Sequence, residues 1–291
     1  VRRPAPKNLS DIRHPGPSAS DRTPHIRCRA EPFAPRLESA VDLVPALGAL
    51  AKSDGFGSAV LDLSGLVLGP FDYVMPDRAI DDRHAAWYSD THSSAGATLQ
   101  AAVAILGWRE GSWFAHVHAF WHENGRDRLG HLLPASLKAG APAKLEGYGL
   151  KGAVFRAAPD PETEFTLFRV HPDPATASAK PDNALITTLA PFADLHVSVS
   201  ELAGKLDTKA YDVLGLGSLA GAAFQDDRPM TGLISEILLL PGAGTGGKPD
   251  LTLPVRCVDL DGNLHAGALL PGKAPTLVTC ELLIRNSGDT T

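Results

Sequence analysis

The stretch SAVLDLSGLVLGPF, residues 58–71, returns in altered form as YDVLGLGSLAGAAF, residues 211–224. Leu214–Leu219 fall on Leu61–Leu66, and Phe224 falls on Phe71. A second match follows in the same order. LPVRCVDLDGNLHAGALLPG, residues 253–272, lies over FAHVHAFWHENGRDRLGHLLPA, residues 114–135, with a shorter turn. Two ordered matches in a chain of 291 residues predict an internal duplication. The expected boundaries are an extended, loosely docked lead-in over 1–35, a first unit over 36–170, a linker over 171–184 and a second unit over 185–291. The linker rests on HPDPATASAKPD, which carries Pro, Ala, Ser and Thr and lacks apolar periodicity.

Each unit opens with a helical pattern and continues in strands. LESAVDLVPALGALAKSDG has apolar residues at helical spacing and stops at Gly55, and SVSELAGKLDTKA is its counterpart. The segment from Ala97 to Pro134 reads as strand, turn, strand, turn, strand, and KLEGYGLKGAVFRA and TEFTLFRV as two more.

Within the first unit, HVHAFWHENGRDRLGH places four of the eleven histidines in sixteen positions. Side chains alternate along a strand, so His116 and His118 share a face about 6–7 Å apart. If residues 118 and 131 oppose each other across the hairpin, His131 joins that face. A one-residue slip turns it away. Three neutral imidazoles with no fourth protein ligand make an open zinc site, with iron, nickel or manganese as other occupants. His122 abuts the turn and is expected to be exposed, with a place as substitute ligand for His131. The competing reading is a histidine-rich surface hairpin without a metal. None of the three histidines recurs in the second unit, where Cys257 falls on His118 and Val255 on His116. The second unit is therefore expected to be scaffold or oligomer surface, unless Cys257 reaches the metal and closes the site.

Composition narrows the partners. The net charge is −6 and the pI about 6.0, which disfavours nucleic acid, since phosphate contacts require a basic surface. Basic residues cluster at Arg2, Arg3, Lys7 and Arg13 in what reads as a solvated tail. No run of about 20 apolar residues predicts a membrane span, and no apolar leader is seen, so a cytoplasmic protein is expected. Cys28, Cys257 and Cys280 are too few and scattered for a disulfide framework.

The hairpin FAHVHAFWHENGRDRLGHLLP resembles that of the PPC (plants and prokaryotes conserved) domain, with its H-x-H strand, turn and Gly-Gly-His-Leu. Gly130-His131-Leu132 match, while Leu129 replaces the first glycine. GLGSLAGAAF and the segment from Leu253 to Ile284 resemble parts of a second such domain. The resemblance spans about 36–170 and 185–285. It implies an α/β fold of the α+β type, two duplicated domains, each a largely antiparallel sheet packed with one or two helices. It also implies self-association as trimers. Plant members carry AT-hooks for DNA, but VRRPAP lacks the glycine of that motif. The same fold group holds α-acetolactate decarboxylase and a zinc-binding ester hydrolase, similar in their three-histidine zinc. By that analogy His116, His118 and His131 are the ligands. The expected function is a zinc-dependent lyase or hydrolase on a small oxygen-rich substrate. The alternative is a non-catalytic regulatory protein binding DNA or a small ligand.

Catalytic partners are less distinct. Glu146, Tyr148 and His84 are candidates for the site's border, against ordinary surface or packing roles. Asp62, charged on an apolar strand, is a candidate to orient a ligand histidine, against a strand-end role. DDRHAAWYSDTH, residues 81–92, either walls a pocket or tucks against the sheet. GAGTGGKP, residues 242–249, lacks the Walker spacing and reads as a flexible turn.

Overall fold

The structure is a computed structural model, and it describes residues 2–288 apart from 207, 227, 231 and 246–249. The second half of GAGTGGKP therefore lies outside the described residues. The principal elements of the first half are β1 (His25–Pro32), α1 (Leu43–Ser53), β2 (Ser58–Asp62), β3 (Phe71–Val74), β4 (His92–Ser94), β5 (Ala97–Arg109), β6 (Ser112–Glu123), β7 (Arg126–Leu132), β8 (Glu146–Pro159) and β9 (Thr166–Asp173). Those of the second are β10 (Ala184–Leu189), α2 (Leu195–Ala203), β11 (Tyr211–Leu219), β12 (Ser235–Leu239), β13 (Pro254–Asp259), β14 (Leu264–Ala268) and β15 (Thr276–Asn286).

One ladder joins these strands in the order β14-β13-β12-β11-β15-β10-β1-β8-β2-β5-β6-β7-β3-β4, with β9 on β8. Outward from the β10–β1 junction, β10-β15-β11-β12-β13-β14 repeats the order of β1-β8-β2-β5-β6-β7. Nearly every pairing is antiparallel. This is an α+β fold, with one principal helix on each half.

Parity along the strands sets the layers. Val117, Ala119 and Trp121 of β6 pack towards α1, where Leu43, Leu47 and Ala51 are buried at helical spacing. Pro45 falls within the first turn, where its missing N–H costs nothing. Val255, Cys257 and Leu282 pack towards α2, whose first turn is capped by Asp194 accepting from Val197 N–H at 2.9 Å. The opposite faces of the two half-sheets bury each other, with Ile105, Phe120 and Phe155 against Leu216, Leu238 and Leu283. The layers thus run helix, half-sheet, half-sheet, helix. The inner face of β6, which carries His116 and His118, lies in the middle layer.

Two expectations need correction. The lead-in is not loosely docked: Ile12 is buried with Ala86, Ile234 and Leu277, and Arg2 pairs with Asp77 at 3.0 Å. Strand β9 runs on to Asp173 and a 3₁₀ turn covers Pro174–Thr176, so the start of the expected linker is ordered structure. Among the described residues, no helix is long and apolar enough to cross a membrane.

Candidate metal centre

The hairpin β6–β7 turns on Asn124 (φ 52°) and Gly125 (φ 75°), a two-residue turn with both residues left-handed. Glu123 pairs with Arg126 across it, and His118 therefore pairs with His131. Gly130 is needed beside His131 because β3 crosses there. A Cβ at Gly130 would lie 2.8 Å from the Val74 carbonyl oxygen. That close approach lets Tyr73 meet the fully buried Trp121, with ring centroids 4.8 Å apart.

The three histidines converge with a carboxylate from the other half. Ligand atoms of His116, His118, His131 and Glu236 all lie within 4.8 Å of one another. Nε2 of His118 is 2.9 Å from Nε2 of His116 and 2.6 Å from Oε2 of Glu236. The outer nitrogens are tied down. His118 Nδ1–H donates to the Ile237 carbonyl at 2.7 Å, and His116 Nδ1–H donates to Glu281 at 2.8 Å. These tautomers follow from the partners. With Nδ1 protonated in the same way, His131 donates to the Tyr88 phenol oxygen at 3.1 Å.

Donating outward fixes where the lone pairs go. The free Nε2 atoms of His116 and His118 and the Glu236 carboxylate face one point, an arrangement that a divalent cation satisfies and neutral groups alone do not. Without a cation, the short His118–Glu236 contact calls for a proton on Nε2. Burial pulls the His118 pKa down, but Glu236, the Ile237 carbonyl and Glu281 outweigh it and hold the imidazole above its usual range. His131 is held well below, first by burial and then by the charges of His116 and His118. The donor set therefore fits a metal: three imidazoles already oriented, and a carboxylate of matching charge.

Glu236 and Glu281 were not anticipated from the sequence. Both occupy inner positions of β12 and β15, beside Leu238 and Leu283 of the middle layer, and Glu281 is 1% exposed. The expectation that the second half is only scaffold, and that no fourth protein group joins the histidines, is corrected. Cys257 does not reach the cluster. It packs with Val255 towards α2, and burial holds its thiol far above the usual range. Matched through the paired glycines it falls on Trp121, three positions beyond His118 and on the opposite face of the sheet.

The remaining candidates separate. Asp62 ends β2 and accepts from Ser64 N–H at 2.8 Å, a strand-end role. Glu146 is exposed near Lys144, and Tyr148 lies beneath Arg285, with the guanidinium carbon 4.4 Å from the ring centroid. Neither borders the cluster. His122 is exposed and pairs with Asp127 at 2.8 Å. His84 packs edge-on against Trp87 and bonds Asp81 at 2.7 Å. The 81–92 loop does wall a pocket: Trp87 and Tyr88 border a cavity of about 270 Å³ that reaches His116 and Glu236. The Tyr88 phenol is held protonated by burial of its hydroxyl, reinforced by Glu236 and Glu281.

No protein-family model matches the sequence, and no curated protein does. Among solved structures, a metal-containing protein from Archaeoglobus fulgidus matches 47% of this chain over 92% of its own, at 18% identity and a TM-score of 0.37. A plant- and prokaryote-conserved (PPC) protein from Pyrococcus horikoshii matches 49% over 94% of its own, at 15% identity and a TM-score of 0.36.

Proposed function

We propose that the protein is a tandem PPC-type chain. It holds one divalent transition metal between its halves and acts on a small molecule there as a hydrolase or lyase. His116, His118, His131 and Glu236 are the ligands in this reading, and zinc suits three imidazoles and a carboxylate best. The observation that carries it is the inward convergence of the Nε2 atoms of His116 and His118, whose outer nitrogens are engaged by Glu281 and the Ile237 carbonyl. A divalent ion held there would polarise an oxygen of the bound molecule by taking it as a fifth ligand beside the three histidines and Glu236.

The chain's own groups supply the proton chemistry. Glu236 borders both the cluster and the cavity, so a bound molecule would meet its carboxylate beside the ion. The Tyr88 O–H, whose oxygen receives the His131 hydrogen bond, remains free to donate to a developing oxyanion. The net charge of −6 and the two carboxylates at the cluster favour a small molecule over nucleic acid as partner.

Elemental analysis of the purified protein tests the metal. The expected result is about one divalent ion per chain in the wild type and a loss in His116→Ala/His118→Ala. Equal retention by both would overturn the reading. Catalysis is tested with a panel of esters and hydroxy-ketones. Turnover should vanish on chelation and return with zinc, and an inactive zinc-loaded protein would reduce the proposal to a binding function.

A further inference from the structure

The cavity beside the cluster is built by a break in the second half's ladder. Gly217 pairs with Cys280 and Leu219 with Thr276, so two steps along β11 face four along β15. This bulge lifts Leu277, Val278 and Thr279 out of register and turns them into the cavity wall. Trp87, Phe165 and Leu167 form the facing wall from the first half. At about 270 Å³ the cavity is just below the usual range for drug-sized ligands, roughly 300–1,000 Å³.

Its chemistry is lopsided. His116 and Glu236 mark the end at the cluster, and aliphatic and aromatic side chains make up most of the remainder. Among the described residues lining it there is no Lys or Arg. Thr279 is 3% exposed, and its hydroxyl has no hydrogen-bond partner among the described residues. A buried hydroxyl left unmatched in a cavity wall is a group awaiting a ligand's polar atom. The carboxylates of Glu236 and Glu281 balance a divalent ion and leave no surplus positive charge to hold an anion.

We infer that the ligand is an uncharged molecule with an apolar body of about one ring and a single oxygen-bearing head directed at the metal centre. This revises the expectation of an oxygen-rich substrate, and it rests on the metal reading above. The test titrates zinc-loaded protein, after its zinc content has been measured, with three hydroxamic acids by calorimetry. Acetohydroxamate carries the head alone, benzohydroxamate adds a neutral ring, and 4-carboxybenzohydroxamate adds a charge to that ring. Benzohydroxamate should bind at least about tenfold tighter than acetohydroxamate, because ring burial is worth roughly one to two decades. The carboxylated probe should bind at least about tenfold more weakly than benzohydroxamate. Trp87→Ala should narrow the first gap with zinc content unchanged, and Trp87→Phe should restore most of it. Equal binding of the first two probes, or tightest binding of the third, overturns the inference and leaves the metal reading standing. Protein that retains no zinc overturns the metal reading, and the inference falls with it.

Discussion

The hairpins β6–β7 and β13–β14 hold equivalent places in the two halves, yet their inner faces do different work. The first turns Phe114, His116, His118 and Phe120 into the middle layer. The second turns Arg256 and Val258 there, and the Arg256 guanidinium lies 3.9 Å over the Phe120 ring. One inner face presents the histidine nitrogens of the cluster, and the other packs against it. The second half still contributes to the cluster, through Glu236 and Glu281 on neighbouring strands. The contrast teaches that two half-sheets of the same strand order can divide one cluster between them, with nitrogens from one and carboxylates from the other.

The helix-facing sides of the hairpins offer the largest test of this contrast. Ala119 pairs with Gly130 and Val255 with Gly267, so Trp121 and Cys257 occupy matching positions. Both are buried. Trp121→Ala should cost about 3–5 kcal/mol in chemical denaturation, whereas Cys257→Ala should cost about 1 kcal/mol and leave metal content unchanged. Comparable losses would show that the two hairpins are packed alike after all.

The next test divides the site itself. His118→Ala should weaken zinc binding more than about a hundredfold in competition with a chelator, since it removes a ligand. Glu281→Gln keeps the shape of the side chain but loses the charge that orients His116, and should cost about ten- to a hundredfold. If Glu281→Gln binds zinc as wild type does, the second half's part in the site shrinks to Glu236.

Much of the first half's site was legible from sequence. H-x-H on a strand already put His116 and His118 on one face, and Asn124-Gly125 is a strong signal for a two-residue hairpin turn. Counting back from Glu123 opposite Arg126 leads to His118 opposite His131, so the register left open could have been read. The carboxylates left a fainter trace. Glu236 in ISEILLL and Glu281 in TCELLIRN are charges inside apolar strands, the signal that instead drew attention to Asp62. Which strands would face His118 could not be read locally, because it depends on the two half-sheets closing over one another. Matching by sequence put Cys257 on His118, whereas the paired glycines put it on Trp121, and that odd offset of three positions changes the face.

The smallest expected effect concerns the lead-in that bridges the halves. His14 packs edge-on against Phe192, with centroids 5.7 Å apart, and burial lowers its pKa against the opposing pull of Glu162. The folded state thus resists a proton that the unfolded chain accepts below about pH 6.5, so this group's contribution to stability falls as the solution is acidified. His14→Leu should gain up to about 1 kcal/mol over wild type on going from pH 7.5 to pH 5, read as the change in denaturation midpoint between the two. An unchanged difference would place the acid sensitivity elsewhere.

The division of one metal centre between the two halves is tested most directly by anomalous diffraction from crystals grown with zinc. The account predicts one strong peak per chain within bonding distance, about 2.0–2.2 Å, of nitrogens from His116, His118 and His131 and of a Glu236 oxygen. A peak held by the histidines with Glu236 turned away, or no peak among these four residues, would contradict it.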